Sequence, residues 1–291
     1  MSDYVILTDA TADHIEDIID DYPFLDIIPM NIRIGNKEYL YGGRKSTITC
    51  REFYDMERDN LYGSTSSISP GIYFQYFEKY LLNHQNIIYL CFSSGMSSTY
   101  QTACLVAENL REEYPDNRIV CVDTLNGSTP QGFLVREAVN KKIEGLRFDE
   151  LVDWVEQHKL NIGVCFSVDT LDFLAKGGRL SKTSAIIGDT LRIKPILRID
   201  QEGELEVIAK AVGKQRALRF MVERLKQGWD PEQGRYILIC HGDDWDTAYK
   251  FKNMILDACP DADVEIGEID PIIGVHTGPG MISISYWGNN R

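Results

Sequence analysis

Residues 86–123 read NIIYLCFSSGMSSTYQTACLVAENLREEYPDNRIVCVD, and this stretch decides the fold. Asn86 to Phe92 is a short apolar run of strand type. A polar turn follows, then a long helical stretch from about Ser97 to Tyr114. Ile119 to Asp123 is another strand, and Thr129-Pro130 opens the next helix with proline in its first turn. Strands alternating with helices of this length predict a parallel sheet with helices on both faces. Ligands on such sheets bind at the carboxyl ends of the strands, which here is the turn after Phe92.

Working outward, Tyr4 to Thr8 is a strand, with a helix expected from about Ala12. Leu25–Arg33 and Lys37–Leu40 flank Gly35-Asn36, the signature of a β-hairpin. Thr49 to Glu52 spells a capping box for a helix starting near Cys50, and Ser69-Pro70 starts another that ends near Leu82. After about residue 160 the pattern changes. Lys194–Ile199 and Glu204–Ile208 are joined by Asp200-Gln201-Glu202-Gly203, as in antiparallel strands with a turn. Strands are also expected at Ile162–Val168, Tyr236–His241, Val264–Ile269 and Met281–Tyr286, and helices at Lys214–Gln227 and Thr247–Ala258. The expectation is a two-domain α/β chain. Residues 1–158 form an N-terminal domain with a parallel sheet and helices on both faces. Residues 159–291 form a C-terminal α/β domain with a mixed, largely antiparallel sheet. The boundary falls between Leu146 and Ile162.

The 291 residues carry a net charge of −14, which repels a phosphate backbone and excludes nucleic acid as a partner class. Anionic membrane is disfavoured too, although a local basic patch leaves a transient membrane contact possible. The N-terminal apolar stretch is short and lacks a basic lead, and no run reaches the length of a membrane helix, so a cytoplasmic location is expected. Seven scattered cysteines with no C-x-x-C pair read as buried thiols in a reducing compartment. Five separated histidines give no ligand spacing, so no metal site is expected. Neither a P-loop nor a G-x-G-x-x-G fingerprint is present.

Four segments could carry chemistry. Ser93-Ser94-Gly95-Met96-Ser97-Ser98-Thr99-Tyr100 lies between strand and helix, where free N–H groups and the helix dipole favour an anion; helix capping alone is the plainer account. Ser64-Thr65-Ser66-Ser67 is a hydroxyl-rich turn before a capped helix, or simply a polar loop. Gly274-Val275-His276-Thr277-Gly278-Pro279-Gly280 sets a histidine in a backbone constrained by glycine and proline. Lys176-Gly177-Gly178-Arg179 ends a helix and projects an arginine, which could equally be a surface charge.

Taken in order, these segments resemble the DegV family of bacterial fatty-acid-binding proteins, from Thr8-Asp9 through His276-Thr277-Gly278-Pro279-Gly280. Lys176-Gly177-Gly178-Arg179-Leu180 and the histidine segment match that pattern most closely. The resemblance implies a carboxylate held between the domains and an acyl chain in an apolar tunnel. It implies Thr65 and Ser97 as head-group ligands, with Ser66, Ser93, Ser94, Gly95 and Met96 beside them, His276 and Thr277 facing, and Arg179 at the ligand entrance or partner surface. It further implies a long-chain fatty acid such as palmitate as ligand, a fatty acid kinase as partner, and no cofactor or catalytic residue. The chain departs from the family pattern at Ala10, where serine is usual, at Ser98, where glycine is usual, and in Thr65-Ser66-Ser67-Ile68-Ser69-Pro70, which lacks a glutamine and displaces the proline.

Two other functions compete. Gly95-Met96-Ser97-Ser98-Thr99 between strand and helix resembles the nucleophile elbow of a serine hydrolase that would use Ser97 and His276, but the second elbow glycine is Thr99. A sugar- or phosphate-ligand protein is the third reading, since some dihydroxyacetone-kinase domains share this general fold.

Overall fold

The structure, a computed structural model, describes residues 4–59, 61–180, 192–289 and 291. Strands β1 (Tyr4–Asp9), β2 (Leu25–Ile28), β6 (Asn86–Cys91) and β7 (Ile119–Asp123) form a four-stranded sheet in the order β2-β1-β6-β7. All its pairings are parallel. Every residue of β1 and β6 is buried, as central parallel strands require. Tyr89 packs on Tyr73 and Phe77 of α2 (Pro70–Leu81), while Tyr4, in register with Asn86, packs on Phe148 of α5 (Phe148–His158). Positions 86 and 89 point to opposite faces of a strand, so helices cover both sides of the sheet.

The second sheet has six strands: β8 (Ile162–Ser167), β9 (Ile193–Ile199), β10 (Leu205–Val212), β11 (Tyr236–His241), β12 (Asp263–Glu268) and β13 (Ile282–Trp287). Their order is β10-β9-β8-β13-β11-β12, and only the β11–β12 pairing is parallel. Helices α7 (Lys214–Gly228) and α8 (Trp245–Ala258) cover one face and build a core of their own with Ile282, Ile284 and Tyr286. The other face, through Phe166, Leu197, Leu238 and Cys240, joins the core of the first sheet. Between them lies α4 (Thr129–Ile143), packed on β8, β11, β13 and α5. Its residues Thr129–Val135 are all buried, as expected of a helix with no solvent stripe.

Several elements differ from the sequence expectation. The stretch predicted as one strand from Leu25 to Arg33 breaks at Pro29, which has no N–H to donate. The chain then leaves the parallel sheet for a three-stranded antiparallel one of β3 (Met30–Ile34), β4 (Lys37–Tyr41) and β5 (Gly63–Thr65). The β3–β4 hairpin turns at Gly35, φ 58°, as its sequence predicts. The helix expected from Ala12 is replaced by turns, because His14 sits at φ 60° and Asp13 is drawn into a buried network. The segment around His276, expected as a loop, is a short helix, α9 (Pro271–Thr277). Gly274 serves there as clearance: a Cβ would lie 2.5 Å from the Phe53 ring.

Candidate functional site

A cavity lies between the two sheets, walled by residues of both halves of the chain. Met30 and Phe92 from the first half and Phe166, Leu174, Ile273 and Met281 from the second supply apolar wall. At one end polar groups converge. Thr65, at the end of β5, is held in register opposite Ile32 of β3. His276 sits in the last turn of α9, and Thr65 Oγ1 lies 2.8 Å from His276 Nε2. Arg179 follows the short helix α6 (Asp172–Lys176), where Gly178 takes φ 69° and lets the chain turn sharply. The Arg179 guanidinium donates to the Gly177 carbonyl and also lines the cavity.

Burial, reinforced by the nearby Arg179 charge, pushes His276 down to about 4. The ring is therefore neutral near pH 7. Its Nδ1 is buried without a partner, beneath Gly177, where a Cβ would come within 2.2 Å of it. Ser97 precedes α3 (Thr99–Glu113). Its hydroxyl accepts from the Thr99 backbone N–H at 3.3 Å and shares a 2.8 Å bond with Thr99 Oγ1.

The structure brings Thr65, Ser66, Met96, Ser97, Arg179, His276 and Thr277 to this cavity. Ser93, Ser94 and Gly95 lie on the same turn but outside its wall. Ser93 Oγ donates to the Gly203 carbonyl at 2.8 Å, and Gly95 fits against Glu202, where a Cβ would meet a carbonyl at 2.7 Å. These residues dock the turn onto the β9–β10 connection. Nor are the backbone N–H groups free for an anion. Those of Ser93, Ser94, Gly95, Met96 and Ser97 bond, in turn, to Asn126 O, Asp123 Oδ1, Ser93 Oγ and, for the last two, Ser93 O.

Thr65, Arg179 and His276 also border a second hollow of about 510 Å³, lined by Tyr62, Phe173 and Lys176. The three residues thus form the partition between the cavity and an outer recess. Sequence reasoning missed the remaining wall, including Thr11, Ser128 and Ser283. Ser128 had a local signal in its crowded Gly127-Ser128-Thr129-Pro130 context, and it adopts φ 63°. Elsewhere, His14, Asp17 and Glu265 have ligand atoms within 4.8 Å of one another, but Arg136 already bonds both carboxylates.

Among the described residues, no hydrogen bond joins Ser97 to His276 and no carboxylate orients the His276 ring. A nucleophile–base–acid relay needs both contacts. Among the described residues no helix is long and apolar enough to cross a membrane.

The family model described as an uncharacterised protein of the DegV family matches residues 3–289. The chain belongs to the DegV family. A DegV domain-containing protein of Clostridium perfringens is 35% identical over 100% of this chain and 99% of its own length. The crystal structure of a fatty acid binding DegV family protein from Streptococcus agalactiae is 28% identical, covers 98% of each chain, and superposes with a TM-score of 0.84. The fatty acid kinase B3 protein of Streptococcus pneumoniae, solved loaded with linoleic acid, shares the DegV fold with a TM-score of 0.84 at 20% identity, covering 99% of each chain.

Proposed function

We propose that the protein binds a long-chain fatty acid, with the carboxylate at Thr65, Ser97 and His276 and the acyl chain in the apolar cavity. One observation carries this: two hydroxyls that line the cavity each lie beside a group able to donate to them. Ser97 Oγ takes the Thr99 N–H, and Thr65 Oγ1 faces His276 Nε2. With the Nε2 proton donated to Thr65, and the Thr99 hydroxyl donated to Ser97, each oxygen keeps one O–H to give. Two O–H donors and no competing acceptor suit a carboxylate. Arg179 adds positive charge at the partition.

The tail supplies the affinity. Each buried methylene contributes roughly 0.8 kcal/mol, so about fourteen give on the order of 11 kcal/mol gross. Association and ordering costs take back several kcal/mol. The head group contributes orientation, since an unpaired buried carboxylate carries a large penalty. The related structures, one of a fatty acid binding protein from Streptococcus agalactiae and one loaded with linoleic acid from Streptococcus pneumoniae, support fatty-acid binding here.

The protein acts as a non-catalytic carrier that presents the acid to a fatty acid kinase. The position of Thr65, Arg179 and His276 between the cavity and the outer recess supports this, because a partner seated there would meet the carboxylate first. Native mass spectrometry of the purified protein tests the binding. A co-purified long-chain fatty acid is expected. A sugar phosphate, or no ligand after lipid exposure, defeats it. Stoichiometric labelling of Ser97 by a fluorophosphonate would replace it with the hydrolase reading.

A further inference from the structure

β13 reads Ile282-Ser283-Ile284-Ser285-Tyr286-Trp287. Alternation of this kind is the pattern of a strand with one face in water. Here neither face meets water: Ser283 is 1% exposed and Ser285 is 0%. Ile282, Ile284 and Tyr286 point into the core under α7 and α8, whereas Met281 and Trp287 belong to the core shared with the first sheet. The two serines therefore point inward with Met281 and Trp287, and Ser283 lines the cavity.

The Ser283 hydroxyl makes no hydrogen bond with any described residue. Its neighbours across the sheet are Phe166 and Cys240. Ser285 Oγ, the next position on the same face, is also buried without a partner. The buried or half-buried hydroxyls elsewhere on the wall are engaged: Thr11 Oγ1 with Gln131 Oε1 at 2.7 Å, Ser128 Oγ with Asp13, and Thr277 Oγ1 with the Ile273 carbonyl at 3.1 Å. A plain hydrocarbon tail laid over Ser283 would keep its O–H unpaired in a dry site, which is unfavourable relative to an alanine there.

We infer that the cavity is built for a fatty acid bearing an oxygen part-way along its chain, a hydroxyl or keto group that Ser283 hydrogen-bonds. This rests on the fatty-acid reading of the site. Ser283 lies one same-face step beyond Met281, about 7 Å along β13 and away from the turn that follows His276. No hydrogen bond ties Ser283 to Thr65, Ser97 or His276 among the described residues, so the contact is assigned to the body of the chain and not to the carboxylate. A site that offers a hydrogen bond to a substrate hydroxyl disfavours the analogue lacking it, whereas a purely apolar wall discriminates weakly.

The test is a titration of the full-length protein, freed of lipid, with stearate and with stearates carrying a single mid-chain hydroxyl or keto group. Wild type should bind at least one oxygenated chain roughly three- to tenfold more tightly than stearate. Ser283→Ala should abolish that preference and tighten stearate binding, since the unpaired O–H is gone. The wild-type comparison stands by itself if the variant folds poorly. Normal stearate binding with no preference for any oxygenated chain overturns the inference alone. So does an equal loss for all chains in Ser283→Ala. Failure to bind any of the chains removes the fatty-acid reading as well.

Discussion

On the proposed reading, two hydroxyls and one ring nitrogen receive the acid group. Thr65 and Ser97 are not charged, so a carboxylate there would be held by geometry more than by Coulomb attraction, with His276 neutral at ordinary pH. Replacing Thr65 by valine keeps the shape and removes the O–H, and Ser97→Ala does the same at the second donor. A charge-assisted hydrogen bond is worth about 1.5–3 kcal/mol, so each substitution should weaken fatty-acid binding by roughly 10- to 100-fold. Isothermal titration checks the affinity, and circular dichroism checks that the fold survives. Unchanged affinity in the double variant would place the head group elsewhere. His276 itself, held down to about 4 by burial, should leave binding flat across the neutral range. A sharp change in affinity near the ordinary histidine pKa would contradict that.

Among elements, the β9–β10 turn and the start of α9 tolerate change least, the first through a glycine conformation and the second through a buried acid pair. Gly203 adopts φ 77°, and a Cβ there would meet Ser93 Oγ at 2.1 Å. Gly203→Ala should therefore cost about 1–3 kcal/mol, read from denaturant unfolding. At the start of α9, Asp270 and Asp13 are buried together: the Asp270 N–H donates to Asp13 Oδ1 at 3.0 Å, and Tyr41 donates to Asp270 Oδ1 at 2.7 Å. Desolvation raises Asp13 from the ordinary 3.8 to about 7 and pushes Asp270 up as well. The native state thus keeps a proton that the unfolded chain has released. The stability this contributes is fully present below the unfolded value and is lost as pH rises toward about 7. In thermal melts Asp13→Asn should gain on wild type as pH rises from about 5 to about 8, and a constant gap would refute the coupling.

These elements also show which parts of the molecule a sequence can display. β6, β7 and the helices between and after them were legible because buried parallel strands write themselves as apolar runs and proline marks helix starts. Thr65, Ser97, Arg179 and His276 were legible as motif positions, though not as neighbours. The helical character of α9 was hidden, since Gly274 answers to the Phe53 ring and not to a turn. The turns at residues 10–21 were hidden too. Their apolar spacing suits a helix, and only the left-handed His14 and the distant Asp270 forbid one. Ser93 and Gly95 were read as ligand groups because nothing local reveals Gly203 pressing on them from 110 residues away.

For the molecule as a whole, the cavity is a gap left within one core, since the inner face of the second sheet and the first sheet share a single cluster of buried side chains. Filling that gap should stabilise the entire chain. Fatty acid at a hundred times its dissociation constant would add about 2.7 kcal/mol, which for 291 residues raises the melting temperature by roughly 4 °C. Differential scanning calorimetry with and without palmitate measures it, and an unshifted transition would count against occupancy of the cavity.

Thr65 and His276 touch across a sequence separation of 211 residues, and Ser283 lies later still. During synthesis the first sheet can assemble long before His276 or Ser283 emerges from the ribosome, yet that early product lacks half of the cavity wall. On the proposed reading, capture is therefore a property that the nascent chain acquires only once β13 has emerged, and a chain stopped after Gly280 would keep Thr65 and His276 but lack the wall that Met281 and Ser283 supply.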